Sequence, residues 1–186
     1  MTVMDVLPKV PAFLSRAPVE TRRSNEPRLL TTFLFTDLVD STAHAVSLGP
    51  RWPELLREHN ARIRRILAQH SGRAVDTAGD GFFASGFPLP TRAIECACEI
   101  RAAVSDLGLR VRIGIHTGEC ELIDGKPGGL AVVVGARLAA QAEEGEVLVS
   151  RTVRDIVAGS GIELEPRGLR TLKGLGEWPV YAVASA

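Results

Sequence analysis

Between residues 73 and 87, two short strand-forming runs are joined by Gly79-Asp80-Gly81. Glycine on both sides of an aspartate tolerates the left-handed backbone of a tight turn, so the segment is expected to be a β-hairpin. Its neighbours constrain the fold further. Residues 29–36 are β-rich and are expected to form a central strand, with Asp37 at its close in Phe33-Leu34-Phe35-Thr36-Asp37-Leu38. Residues 52–70 carry Leu55, Leu56, Ile63, Ile66 and Leu67 at helical spacing. Arg57, Arg62, Arg64 and Arg65 surround that stripe as a solvated face, and Gly72 is expected to end the helix. Residues 91–107 predict a second amphipathic helix, capped by Thr91, with Ile94, Ala97, Ile100 or Arg101, and Val104 along one face. Residues 109–117 alternate into a strand with Val111, Ile113 and Ile115 on one face. The order β-α-β-β-α-β predicts an α+β, ferredoxin-like core.

That topology has a chemical consequence. A right-handed βαβ crossover makes the first two strands parallel, and the hairpin then returns the third strand between them. The end of the first strand therefore lies beside the start of the third. Asp37 stands at the first place and Asp80 at the second, so two carboxylates far apart in sequence are brought together. Two turn aspartates can also be merely solvated. Side by side, they form a cage of hard oxygen ligands suited to Mg²⁺ with nucleotide phosphates.

The rest of the chain adds limits. With 186 residues, 45% hydrophobic and 24% charged, it has the composition of one globular domain with a sizeable core. Lys plus Arg and Asp plus Glu are both 22, so no basic excess suggests DNA or RNA as the main partner. Cys96, Cys98 and Cys120 are odd in number and lack metal spacing, which predicts reduced core thiols in a cytosolic protein. No apolar run approaches the roughly 20 residues that span a bilayer, so no membrane partner is expected. Residues 1–27 hold Pro8, Pro11, Pro18 and Pro27 without periodicity and are expected to be a linker or disordered arm. Within that arm, the apolar residues 10–14 are a possible docking segment. Residues 118–128 are expected to be a loop rich in glycine and charge. Residues 129–141 predict a helix with a small-residue face, a face suited to close packing and potentially to a subunit interface, stopped by Gly145. Residues 147–149 predict a short strand, Ser150 a helix cap, and residues 162–164, 168–172 and 180–183 edge strands.

From about residue 29 to residue 183, the chain resembles the catalytic domain of class III nucleotidyl cyclases, most closely the small actinobacterial members. The resemblance is carried by Phe35-Thr36-Asp37-Leu38, by Thr77-Ala78-Gly79-Asp80-Gly81-Phe82-Phe83-Ala84, and by Arg112-Ile113-Gly114-Ile115-His116-Thr117-Gly118. Gly135-Ala136-Arg137, Leu172-Lys173-Gly174 and Pro179-Val180-Tyr181 complete it. The resemblance implies a folded catalytic domain over residues 28–186, forming a homodimer with two sites at its interface. There the ribose 3′-oxygen of a nucleoside triphosphate attacks the α-phosphorus and releases pyrophosphate. It implies two Mg²⁺ or Mn²⁺ per site on Asp37 and Asp80, with the Leu38 main chain as a further ligand. It also implies substrate contacts along Phe35, Thr36 and Leu38. Arg137, from the partner copy, would stabilise the transferring phosphate with its planar fork. Lys173 would contact the terminal phosphates.

The chain departs from that pattern where the base is read. Adenylyl cyclases place a lysine four residues before the second metal aspartate; here the residue is Asp76. An aspartate or threonine stands eleven before the transition-state arginine; here it is Lys126, with Asp124 two residues earlier as an alternative. The signs of the pair are reversed. Val133 replaces the asparagine or histidine that orients the ribose, and a misplaced ribose costs on the order of 100-fold. Adenine is the family's usual base and fits the reversed pair only if it shifts or flips. Guanine, with N1–H and the 2-amine toward Asp76 and O6 toward Lys126, fits as drawn, and uracil fits in the same sense. Asp76 and Lys126 can alternatively be a salt bridge that touches no base. A catalytically weak or silent nucleotide-binding dimerisation module is the competing reading for the whole domain.

Overall fold

The computed structural model describes residues 27–185. Apart from Pro27, the arm expected over residues 1–27 lies outside the described residues. The elements run β1 (Arg28–Leu38), α1 (Ser41–Leu48), a single 3₁₀ turn (Gly49–Arg51), α2 (Trp52–Gln69), β2 (Arg73–Ala78), β3 (Gly81–Ser85) and α3 (Pro90–Ser105). They continue as β4 (Val111–Ile123), β5 (Lys126–Gly128), α4 (Leu130–Gln141), β6 (Val147–Ser150), α5 (Arg151–Ile156), β7 (Glu163–Leu172) and β8 (Gly176–Ser185). One sheet has the order β2-β3-β1-β4-β6-β8-β7, with β5 paired to the far end of β4. The β2-β3-β1-β4 half, with α2 and α3, is the ferredoxin-like core expected from the sequence. The β4–β6 pair is parallel, and the other neighbouring pairs are antiparallel.

Strand alternation divides the core between the two faces of the sheet. Leu34 and Leu38 of β1 pack with Ile63, Ile66 and Leu67 of α2 and with Ile94, Ala97 and Ile100 of α3. Phe33 and Phe35 point the other way, onto Ala131, Val132, Ala136 and Ala139 of α4. Each such buried side chain contributes roughly 1.5–3 kcal/mol relative to exposure, so both faces of β1 are firmly held.

The small-residue face of α4 packs closely, as expected, and against the chain's own sheet. A Cβ at Gly114 would overlap the Ala139 backbone nitrogen, and one at Gly135 would lie 2.9 Å from the Phe35 ring. Both glycines let helix and sheet approach closely.

Other expectations also change. Residues 118–128 are not a loop: β4 runs on to Ile123 and returns as β5. Glu119 and Glu121 there face Arg28 across the β1–β4 pair, at 3.4 Å each. Asp124 and Gly125 have φ of 52° and 77°, the two left-handed residues of a tight hairpin turn. Thr91 is not a cap, because α3 begins at Pro90 and its N-cap is Leu89. Ser150 does cap α5, its hydroxyl accepting the Val153 N–H. The three short edge strands are two long strands, and β8 lies inside the sheet between β6 and β7. Helix α1 was not expected. It buries no residue and has no side-chain cap, so neither periodicity nor capping marks it in the sequence. The three cysteines are free; burial, with Glu99 adding to it, pushes the Cys96 thiol up to about 12.

Candidate functional site

The register of β1 against β3 pairs Phe35 with Phe83 and Thr36 with Phe82. The next residue of β1 is Asp37, and Asp80 sits in the turn that opens β3. The two carboxylates therefore meet at one corner of the sheet, as the topology requires. Thr36 fastens that corner, its hydroxyl oxygen accepting the Phe82 N–H at 3.1 Å. Phe35 stacks on Phe83, with centroids 4.5 Å apart and planes 4° from parallel. The side chains of Phe35, Thr36 and Leu38 are buried in this packing. They set the position of Asp37 from within and leave only main-chain atoms to face a ligand.

Asp37 and Asp80 are 5% and 6% exposed. Arg112, opposite Asp37 across the β1–β4 pair, brings its guanidinium within 3.7 Å of the Asp37 carboxylate. The buried Oδ2 of Asp80 has no hydrogen-bond partner among the described residues. A buried carboxylate oxygen without a donor is costly in a folded protein. A divalent cation is the natural means of satisfying it, so the donor set fits Mg²⁺ or Mn²⁺: two carboxylates with main-chain oxygens beside them. No group of three or more His, Cys, Asp and Glu suited to a metal occurs among the described residues.

Three residues without a role in the site expected from the sequence back this corner. Arg112 is one. The others are His59 and Asn60 on α2, which reach the Asp80 turn: Asn60 Nδ2 donates to the Gly79 carbonyl at 3.3 Å. His59 is wholly buried; burial lowers its pKa, while its Asn60 contact and the Asp80 charge raise it. The available signal was the helical stripe itself, since 59, 63, 66 and 67 share one face of α2.

Asp76 and Lys126 come together on β2 and β5, 50 residues apart in sequence. Lys126 Nζ lies 3.3 Å from Asp76 Oδ2, and the side chains are 62% and 44% exposed. Asp76 Oδ1 accepts the Thr77 N–H. Asp124, in the β4–β5 turn, is exposed.

Arg137 and Lys173 lie on other elements than the aspartates. Arg137 is on α4, half-buried, one turn beyond Val133. Lys173 is exposed in the β7–β8 turn. Their neighbours Leu138 and Leu172 share one core cluster, which brings α4 and that turn together. Three inter-strand steps, roughly 14 Å, separate β1 from β8. The pairings Leu34–Ile115, Ile115–Val149 and Val149–Tyr181 align the strands. By that register β8 starts at the end of the sheet where β1 starts, while Asp37 lies where β1 ends. Lys173 and Asp37 thus lie toward opposite ends of the sheet within one chain, while α4 also packs on Phe35 through Ala136. Two surface grooves, one lined by Arg151, Asp155, Ile156 and Trp178 and the other by Pro27, Leu122 and Ile123, contain neither aspartate.

Residues 26–185 match the family described as the adenylate and guanylate cyclase catalytic domain. An uncharacterized protein of Mycobacterium tuberculosis is 37% identical over 124 residues, which is 62% of this chain and 47% of that protein. The chain spans less than half the length of the first curated relatives it matches. Among solved structures, the adenylyl cyclase CyaB from P. aeruginosa superposes with a TM-score of 0.79 at 20% identity, covering 88% of this chain and 97% of that one. An adenylate/guanylate cyclase/hydrolase from Silicibacter pomeroyi reaches 0.73 at 29% identity, covering 87% and 100%.

Proposed function

The chain belongs to the adenylate and guanylate cyclase catalytic-domain family, and from that premise we propose that it cyclises a nucleoside triphosphate to a 3′,5′-cyclic nucleotide, releasing pyrophosphate, at sites shared by two copies. The observation that carries this is the corner of Asp37 and Asp80, with the buried Asp80 Oδ2 lacking a donor. Asp37, Asp80 and the Leu38 carbonyl would hold two Mg²⁺ or Mn²⁺ per site. The chemistry that bound divalent ions supply is activation of the ribose 3′-oxygen and neutralisation of the triphosphate.

The remaining roles fall to side chains. Arg137 presents a planar, permanently charged fork to the transferring phosphate, and its donors match the oxygens on which charge develops. Lys173 holds the terminal phosphates as a mobile point charge. Asp76 and Lys126 lie side by side and would read one base edge together on exchanging their mutual contact for it. The separation of Asp37 and Asp80 from Lys173 within one chain supports a two-fold homodimer. One copy then supplies the aspartates of a site, and its partner supplies the arginine and lysine.

ATP is the leading substrate by family; GTP and UTP are the alternatives that the reversed Asp76–Lys126 pair favours. A second reading is a catalytically silent nucleotide-binding module. Val133 favours it, since no side-chain donor or acceptor stands there to orient a ribose. Pyrophosphate release with each of the four NTPs in Mn²⁺ separates the two readings. Release with at least one, together with its cyclic nucleotide, is expected. Nucleotide binding without release from any would make the chain a module.

A further inference from the structure

We propose that Asn60 and His59 are positioning residues for Asp80, forming a hydrogen-bonded strut from α2 to the turn that carries the carboxylate. The proposal rests on the reading of Asp80 as a cation ligand.

The donors and acceptors along the strut allow one arrangement. Asn60 Nδ2 donates to the Gly79 carbonyl, so the amide oxygen is the atom 3.0 Å from His59 Nδ1. An amide oxygen only accepts, so Nδ1 must carry the proton. In the neutral ring, Nε2 is then a bare acceptor, and it is buried without a hydrogen-bond partner among the described residues. Asp80 Oδ2 is also a buried acceptor without a donor. Asn60 therefore selects the His59 tautomer whose Nε2 carries no proton, so His59 does not compete for the carboxylate as a donor. The lone pairs of the carboxylate stay available for a cation.

The strut also fixes direction. The Gly79 carbonyl and the Asp80 nitrogen share one planar peptide unit. Holding that oxygen orients the plane from which the Asp80 Cα–Cβ bond departs. Gly79 has φ of +62° and open space around its Cα, so little else in the turn restrains it. On the far side, the Thr36 hydroxyl holds the Phe82 N–H. Asp80 is thus bracketed by one bond from α2 and one from β1. The α2 end is rigid, since Ile63, Ile66 and Leu67 of the same helix are core residues.

Asn60→Ala tests this, with Glu58→Ala on the same helix as the control. Without metal, amide hydrogen exchange over residues 79–82 should quicken about tenfold or more in Asn60→Ala and not in Glu58→Ala. By manganese EPR, Mn²⁺ affinity should fall roughly 10- to 100-fold, the usual cost of losing a group that orients a metal ligand. Excess Mn²⁺ should restore most of kcat. His59→Gln, whose amide can still donate to Asn60, should lie between wild type and Asn60→Ala. Exchange and Mn²⁺ affinity unchanged in Asn60→Ala, while Asp80→Ala does lose Mn²⁺, would overturn the strut. Unchanged affinity in Asp80→Ala itself would overturn the cation reading instead, with the exchange result still deciding whether the strut exists.

Discussion

The corner of Asp37 and Asp80 and the pair Asp76–Lys126 are both built from charged side chains brought together by the sheet, yet their physics differs. The aspartates are almost wholly buried, and neighbouring groups hold the strands and turn that carry them: the Thr36 hydroxyl, the Asn60 amide and the Phe35–Phe83 stack. Lys126 is 62% and Asp76 44% exposed, and one contact of 3.3 Å joins them. A buried carboxylate without a donor stores an unmet demand that a cation can answer. An exposed ion pair contributes at most about 1 kcal/mol and exchanges readily for water or another partner. On the proposed function, chemistry falls to the corner held from several sides, and base preference to the pair joined by one contact.

One large effect that could break this division is in mixed dimers. Asp37→Ala and Arg137→Ala should each be inactive alone. Mixed, they should regain at least 100-fold activity over either, because one site per heterodimer is intact while the other carries both lesions. No rescue after verified subunit exchange would place all four groups in one chain's site.

A second test concerns burial itself. His116 is buried, with Nδ1 2.7 Å from the Ser150 hydroxyl, and burial lowers its pKa from 6.5 to about 4. Between those values the unfolded chain takes up a proton that the folded chain refuses. Stability is then complete above pH 6.5 and falls as the pH drops toward 4, by on the order of 3 kcal/mol. Burial shifts His59 in the same direction. Urea unfolding at pH 7.5 and 4.5 should show this loss, reduced in His116→Gln; an equal loss in that variant would acquit His116.

The exposed pair should give smaller numbers. Asp76→Lys with Lys126→Asp should shift the ATP:GTP:UTP preference toward ATP by about tenfold, the effect of roughly 1.4 kcal/mol. Unchanged ratios would make the pair a salt bridge with no part in reading the base. The same double variant should alter unfolding stability by less than about 1 kcal/mol. A larger loss would mean that the pair belongs to the structural core.

The corner was legible in the sequence because it follows from topology. Once the hairpin around Gly79-Asp80-Gly81 and the first strand are recognised, their adjacency is forced. The elements that escaped did so for definable reasons. The outer end of β4 carries Glu119 and Glu121, whose charge suggests a loop until Arg28 is found opposite them. The Asp124-Gly125 turn was lost inside that stretch. Helix α1 lies on the surface without a buried stripe, so periodicity has nothing to report. The small face of α4 promises close packing but does not name its partner; Gly114 and Phe35 supply it. His59 and Asn60 act through the backbone of a turn 19 residues away, a relation no local pattern encodes.

The central claim is that the buried corner performs the chemistry, and Asp80→Asn tests it most directly. The substitution keeps shape and removes charge, so circular dichroism and thermal unfolding should match wild type or improve slightly. With Mn²⁺ and whichever NTP wild type uses best, formation of the cyclic nucleotide should fall at least 1,000-fold. A folded Asp80→Asn protein that cyclises within a few-fold of wild type would contradict the account.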